Sequence, residues 1–247
     1  MNIHQYDTHR RIRSYTLSGG LLYLLMIILG IIQQIFIKDA IVVSGNMEAT
    51  AKRLKSLEWL WRTGICIEMM IVIITVLLTW ILYFLTKPVN KNLSSIAALF
   101  GLLAIAVQAS YSLHFLEALQ TLTNNSSLNA FSQQQLYVFS SFNIQSQSEG
   151  FAIALLLFGP FFFITGYLIF HSGYFPKALG VLYFIAGVSY FLSSFLLILF
   201  PNWTARYYFF IVGPALIGEL SLSLWLLIKG VNFKKWDSYF FDNKEQN

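Results

Sequence analysis

At 247 residues, 57% hydrophobic and only 11% charged, the chain lies far from soluble globular domains, in which charged residues make up about a quarter. With a mean hydropathy of +0.64, this composition excludes a water-soluble domain and implies an integral membrane protein. The net charge of +5 comes from Lys and Arg scattered among short loops, without the contiguous basic face that a nucleic-acid partner requires, so no nucleic acid is expected.

Residues 1–14 are polar and basic and lead into an apolar run over 15–37, about the 20 residues that a spanning helix requires. The run is too long for the h-region of a signal peptide, and its end, Ile-Gln-Gln-Ile-Phe, offers no small-residue cleavage site. Further spans are expected over 60–85, 96–119, 151–170, 179–200 and 207–228. The chain thus divides into a tail (1–14), a membrane domain (15–230) and a second tail (231–247). The fold class is all-α: a polytopic bundle of six transmembrane helices with both termini on one side. Ten basic residues fall on the terminal side (Arg10, Arg11, Arg13, Lys87, Lys91, Lys177, Lys229, Lys234, Lys235, Lys244) against six on the other (Lys38, Lys52, Arg53, Lys55, Arg62, Arg206), which makes the terminal side cytoplasmic.

Between the first two spans, 46–56 opens with a capping Asn46 and an early Glu48, and it is expected to form a short interfacial helix. The longer loop, 121–149, is rich in Ser, Asn and Gln and reads as an outer cap, loose or partly ordered by its aromatics. Asn124, Asn125 and Asn202 each begin an Asn-x-Ser/Thr triplet, a pattern that arises easily by chance. Gly159-Pro160 and Gly213-Pro214 fall inside the fourth and sixth spans, where proline removes a backbone donor and tends to kink the helix. Gly180, Gly187 and Ser194 recur every seven residues, a small-residue stripe suited to close helix packing. Cys66 reads as a small buried side chain, and as a lone cysteine it excludes a disulfide framework or a cysteine-based zinc site.

Ionisable residues inside spans are expensive and mark the candidate site. Glu58 and Arg62, four apart, suit an ion pair at the interface. Glu68 lies roughly 8 Å below the first apolar residues of the second span at 1.5 Å per residue and requires a partner. On the third span Ser110, His114, Glu117 and Thr121 form a polar stripe at helical spacing. Antiparallel neighbours would allow Arg62, Glu68, His114 and Glu117 to line one polar pocket opening toward the outer leaflet, with Glu149 and Arg206 at its level. His171 reads as an interface residue. Glu219, deep in the sixth span, is a candidate buried proton site or a hydrogen-bonded packing residue. The His-Glu-x-x-His pair, the Gly-x-Ser-x-Gly elbow and the phosphate-cradling glycine loop are all missing, and the four histidines are not placed to hold a haem, so no cofactor or metal is expected.

Several motifs in order, Arg62-x-Gly64, Lys87-Pro88-Val89-Asn90-Lys91, Gly166-Tyr167-Leu168, Ser172-Gly173-Tyr174-Phe175-Pro176-Lys177-Ala178-Leu179-Gly180 and Gly218-Glu219-Leu220-Ser221 running to Trp225, resemble the bacterial domain-of-unknown-function family 4386. The likeness spans about 11–231. It implies an inner-membrane protein of six or seven helices with no established activity. Some relatives carry a histidine shortly after the Phe-Gly of the fourth helix, where this chain has Phe161, which argues against such a histidine being central to a mechanism here. The sequence therefore supports binding or transport of a small molecule, lipid or proton. An intramembrane enzyme acting on lipids and a non-catalytic scaffold are the alternatives, and the oligomeric state stays open.

Overall fold

The computed structural model describes residues 3–123 and 130–242 of the chain. No strand occurs among the described residues. Among the described residues, six helices are long and apolar enough to cross a membrane: 7–41, 58–86, 91–122, 133–171, 177–199 and 209–228. The protein is a multi-pass membrane protein. Backbone polar groups satisfied within each helix are what a span through hydrocarbon demands.

The first span comprises α1 (Ile3–Ile31), a π-helical segment (Ile32–Lys38) and the one-turn α2 (Asp39–Ile41). A short α3 (Met47–Ser56) follows. The remaining spans are α4 (Glu58–Thr86), α5 (Lys91–Leu122), α6 (Gln133–His171), α7 (Lys177–Leu199) and α8 (Pro201–Ile228), and α9 (Phe233–Asp242) ends the described chain. Each span packs on the next in sequence, and α8 closes on α1, so the six form a ring. An even number of crossings puts both ends of the ring's chain on one side, here called the terminal end. The opposite side is the distal end.

Close approach sets the register of the ring. A Cβ on Gly166 would lie 2.6 Å from Phe184 N and 2.8 Å from Gly180 O, and one on Gly187 would lie 2.9 Å from Gly159 O. Gly180 and Gly187 of the α7 stripe therefore meet Gly166 and Gly159 on α6, backbone against backbone, and Ser194 of the same stripe is buried. At the α1–α8 seam, Gly20 admits Leu227 in the same way, and Ser223 Oγ donates to Gly20 O at 3.0 Å.

The terminal end is locked by polar contacts. Asn90 caps α5 by accepting from Leu93 N at 3.0 Å, and the Thr86 and Ser94 hydroxyls bond at 2.8 Å. Tyr174 O–H donates to Leu85 O at 2.6 Å. Its ring stacks edge-on against Trp236 of α9, and His9 Nε2 meets Asp237 Oδ1 at 2.9 Å. The expected polar tails are thus largely helical: α1 begins at Ile3, and α9 docks an apolar face that carries Trp236 while exposing Lys234 and Lys235.

The distal end differs most from expectation. The α6 helix starts at Gln133 rather than near 151, behind a capping box in which Ser132 Oγ accepts from Gln135 N and Gln135 Oε1 accepts from Ser132 N. Its 39 residues span about 58 Å, so roughly its first five turns overhang the expected span. The α3 helix forms as expected: Asn46 caps it through Ala49 N at 2.9 Å. It buries Ala51 and Leu54 beside Ile37, Ile41, Trp61 and Phe115, and it exposes Lys52, Arg53 and Lys55. Asn124 and Asn125 lie outside the described residues, as does the side chain of Asn202. Cys66 corrects its expected burial: its side chain is exposed on the outside of the ring.

Candidate functional site

The π-helical segment is the local irregularity on which the distal site is built. Asp39 N donates to Gln34 O, five residues back, so the turn holds one residue more than an α-turn. Gln33 and Ile37 then face α4, where Gly64 leaves room for them. A Cβ on Gly64 would meet Ile37 Cγ2 at 3.0 Å, and Gln33 Nε2 donates to Gly64 O at 3.4 Å. Lys38 turns toward α6 instead, where its ammonium donates to Gln147 Oε1 at 3.0 Å and lies 5.1 Å from the centre of the Phe115 ring.

These side chains border a cavity of about 200 Å³ at the distal end. Gln34, Lys38 and Asp39 line it from the first span, Ser44 from the following turn, Trp61 from α4, Phe115 from α5, and Gln147 and Ser148 from α6. The floor is aromatic, with Trp61 and Phe115 rings 4.9 Å apart, and Trp61 Nε1 is already committed to Phe115 O at 2.8 Å. Gln34 Nε2 donates to Asp39 Oδ1 at 2.8 Å. Partly buried Lys38 lies within electrostatic reach of both Asp39 and Glu68 but forms an ion pair with neither. An ammonium with one acceptor and an aromatic face retains N–H donors for a further partner.

Of the four residues expected to share one pocket, the structure pairs His114 with Glu117 and holds Arg62 and Glu68 on other partners. Glu68 is buried as expected, but its partners are Gln108 Nε2 at 3.1 Å and Ser112 Oγ at 3.5 Å, both donating to Oε1. The α5 helix turns Gln108, Ser112 and Phe115, spaced four and three apart, toward the interior. Ser110, His114 and Glu117 lie round the helix on its outer side. There His114 Nδ1 pairs with Glu117 Oε2 at 2.6 Å, both side chains substantially exposed. Arg62 is exposed and paired with Glu58 at 2.7 Å, the interface ion pair that the spacing suggests. Glu149 is exposed and accepts from Gln145, and the side chain of Arg206 lies outside the described residues. His171 is exposed, its Nδ1 bonded to Tyr167 O at 2.9 Å.

The residues that sequence reasoning missed are Lys38, Asp39, Gln108 and Gln147. Gln108 sits in an apolar run, four residues before Ser112, and its spacing to Phe115 was the available signal. Gln147 was hidden because the segment around it read as loop.

Glu219 lies in a second cluster between α1, α7 and α8. Tyr190 O–H donates to Glu219 Oε1 at 2.6 Å, and Tyr23 and Tyr183 share a hydroxyl bond of 2.8 Å within electrostatic reach of the same carboxyl. Phe162 stacks on Tyr183 at 4.4 Å and meets Tyr190 edge-on at 5.0 Å, sealing the group in aromatic carbon.

No solved structure matches the chain. An uncharacterised protein of the archaeon Archaeoglobus fulgidus is 30% identical over 166 residues, which cover 65% of this chain and 80% of that protein. The model of the family described as Domain of unknown function (DUF4386) matches residues 19–230. Most of the motifs that carry the likeness serve packing and turns, Gly64 against Ile37, Asn90 as a cap, Gly166 against Gly180, while Glu219 meets Tyr190. On the extent of that match, the chain belongs to the family of the domain of unknown function DUF4386.

Proposed function

We propose that the protein sits in a bacterial cytoplasmic membrane with both termini inside, and that it binds a small polar molecule or a lipid headgroup in the distal cavity, which then opens toward the outer leaflet. The surplus of basic residues at the terminal end supports the orientation. The observation that carries the binding reading is Lys38, a partly buried ammonium held by Gln147 over Phe115 at the end of a π-helical segment, with donors left for an occupant. Glu68 lies behind it as a fixed, hydrogen-bonded carboxyl that offsets the cost of the ammonium. Of the residues expected to line the pocket, Glu68 keeps this supporting role, while Arg62, His114 and Glu117 serve the surface of the bundle.

Native mass spectrometry of protein extracted with its surrounding lipid tests this reading. The wild type should retain a bound small molecule or lipid that Lys38→Gln loses, with the folded mass and helicity unchanged. Identical spectra for the two proteins would refute it.

Proton exchange at Glu219 is a second reading, supported by the short Tyr190 contact and the adjacent Tyr23–Tyr183 pair. Infrared difference spectra across a pH step test it: a carboxyl band that changes in the wild type and is missing in Glu219→Gln supports exchange, and a silent carboxyl region refutes it.

A further inference from the structure

The distal cavity is bordered by two charged side chains among the described residues, and they are of opposite sign and adjacent in sequence: Lys38 and Asp39. They do not neutralise each other. The ion pairs among the described residues are His9–Asp237, Glu48–Lys52, Glu58–Arg62 and His114–Glu117, and neither cavity residue takes part in one. Each is steadied instead by a neutral amide, Lys38 by buried Gln147 and Asp39 by Gln34. A carboxylate accepts at several lone pairs and an ammonium donates three hydrogen bonds, so both retain capacity toward the cavity.

Charge decides the class of occupant. A simple anion seated on Lys38 would lie beside Asp39, and a simple cation seated on Asp39 would lie beside Lys38, so each meets one repulsive neighbour. An occupant that carries both signs a few ångströms apart meets none. Size narrows the class further. A cavity of about 200 Å³ lies below the roughly 300–1,000 Å³ range of pockets for drug-sized ligands. Resting on the binding reading above, we infer that the cavity takes a compact zwitterion, a primary ammonium linked to one phosphate or carboxylate, whose N–H groups can donate to Asp39 as the trimethylammonium of phosphocholine cannot. Its acidic group lies on Lys38 Nζ and its ammonium on Asp39, with the connecting carbons over the Trp61 and Phe115 rings. The source is either the phosphoethanolamine headgroup of a lipid, whose acyl chains stay outside on the bundle, or a free zwitterion from the distal aqueous side.

Ser148 lines the same cavity and is exposed, so Ser148→Cys in a Cys66→Ser background reports occupancy through its reaction rate with a water-soluble maleimide. The protein is placed in phosphatidylcholine nanodiscs, plain or doped with phosphatidylethanolamine or phosphatidylglycerol, and soluble phosphoethanolamine and glycine are added separately. Phosphatidylethanolamine should slow labelling by about tenfold, with phosphatidylglycerol and plain phosphatidylcholine having no effect. Slowing by a soluble zwitterion in plain nanodiscs assigns the free source instead. Either protection should disappear in Lys38→Gln and in Asp39→Asn. Equal slowing by phosphatidylglycerol, or protection that survives Asp39→Asn, overturns the zwitterion while leaving the binding reading intact. No slowing by phosphatidylethanolamine, phosphoethanolamine or glycine also overturns it, and the mass-spectrometric comparison then decides whether the cavity binds anything.

Discussion

The ammonium of Lys38 donates to Gln147 Oε1 at 3.0 Å, joining the π-helical end of the first span to the overhanging part of α6. These residues are 109 apart in sequence. The bond ties the irregular segment to an otherwise remote helix and directs the charge into the cavity.

That tie is measurable. Lys38→Gln and Gln147→Leu should each destabilise the protein, and a double-mutant cycle should return a coupling of about 1–3 kcal/mol, the net worth of one partly buried hydrogen bond with a charged donor. Unfolding in mild detergent with added denaturant is the assay. Additive effects would mean that the two side chains are energetically independent.

Glu68 and His114 should behave oppositely, although both are ionisable residues within spans. Glu68→Leu strands the Gln108 amide in the interior and should cost about 1–3 kcal/mol, whereas Glu68→Gln keeps an acceptor and should cost less. His114→Ala, on the outer side of α5, should change stability by less than about 0.5 kcal/mol. Comparable losses at the two positions would restore a shared role for them.

Glycines at tight helix contacts divide sharply from those in open space. Gly166→Val puts a branched side chain against the backbone of Phe184 and Gly180, and it should destabilise by at least about 1–3 kcal/mol or prevent folding. Gly30 in α1 has no neighbouring helix or side chain within 4 Å of its would-be Cβ, so Gly30→Ala should be neutral or stabilise by about 0.5–1 kcal/mol through helix propensity. Thermal unfolding of the two variants separates these outcomes.

Tyr190→Phe removes the donor that holds Glu219 and should cost about 1–3 kcal/mol. Glu219→Gln retains an acceptor for the tyrosine and should be milder. If Tyr190→Phe unfolds like the wild type, the hydrogen bond contributes nothing to the packing of α7 on α8.

The architecture was legible because apolar runs of spanning length are an unambiguous signal, and because the α3 cap, the α7 small-residue stripe and the Glu58–Arg62 pair depend on local spacing alone. The site was legible only in part. Glu68 stood out as a charge in an apolar helix, but its partner depends on which side of α5 turns inward. Four polar residues at helical spacing on the outer side form a stronger pattern along the helix than Gln108 and Ser112 do. Burial of the α5 face is decided by contact with α4 and α6, which polarity along one helix does not encode. The overhang of α6 was hidden by a Ser-, Asn- and Gln-rich composition that suits loops as well as polar helix, and with it went Gln147. A π-turn has no sequence signature of its own, so the orientation of Lys38 was beyond periodicity.

The most direct test of the central claim is a structure determined by electron cryomicroscopy in native lipid, inspected between Lys38, Asp39 and the Trp61–Phe115 floor. The account predicts density there in contact with Lys38 Nζ and absent from Lys38→Gln. A cavity closed by Lys38 reaching Glu68, with no density above the aromatic floor, would contradict it.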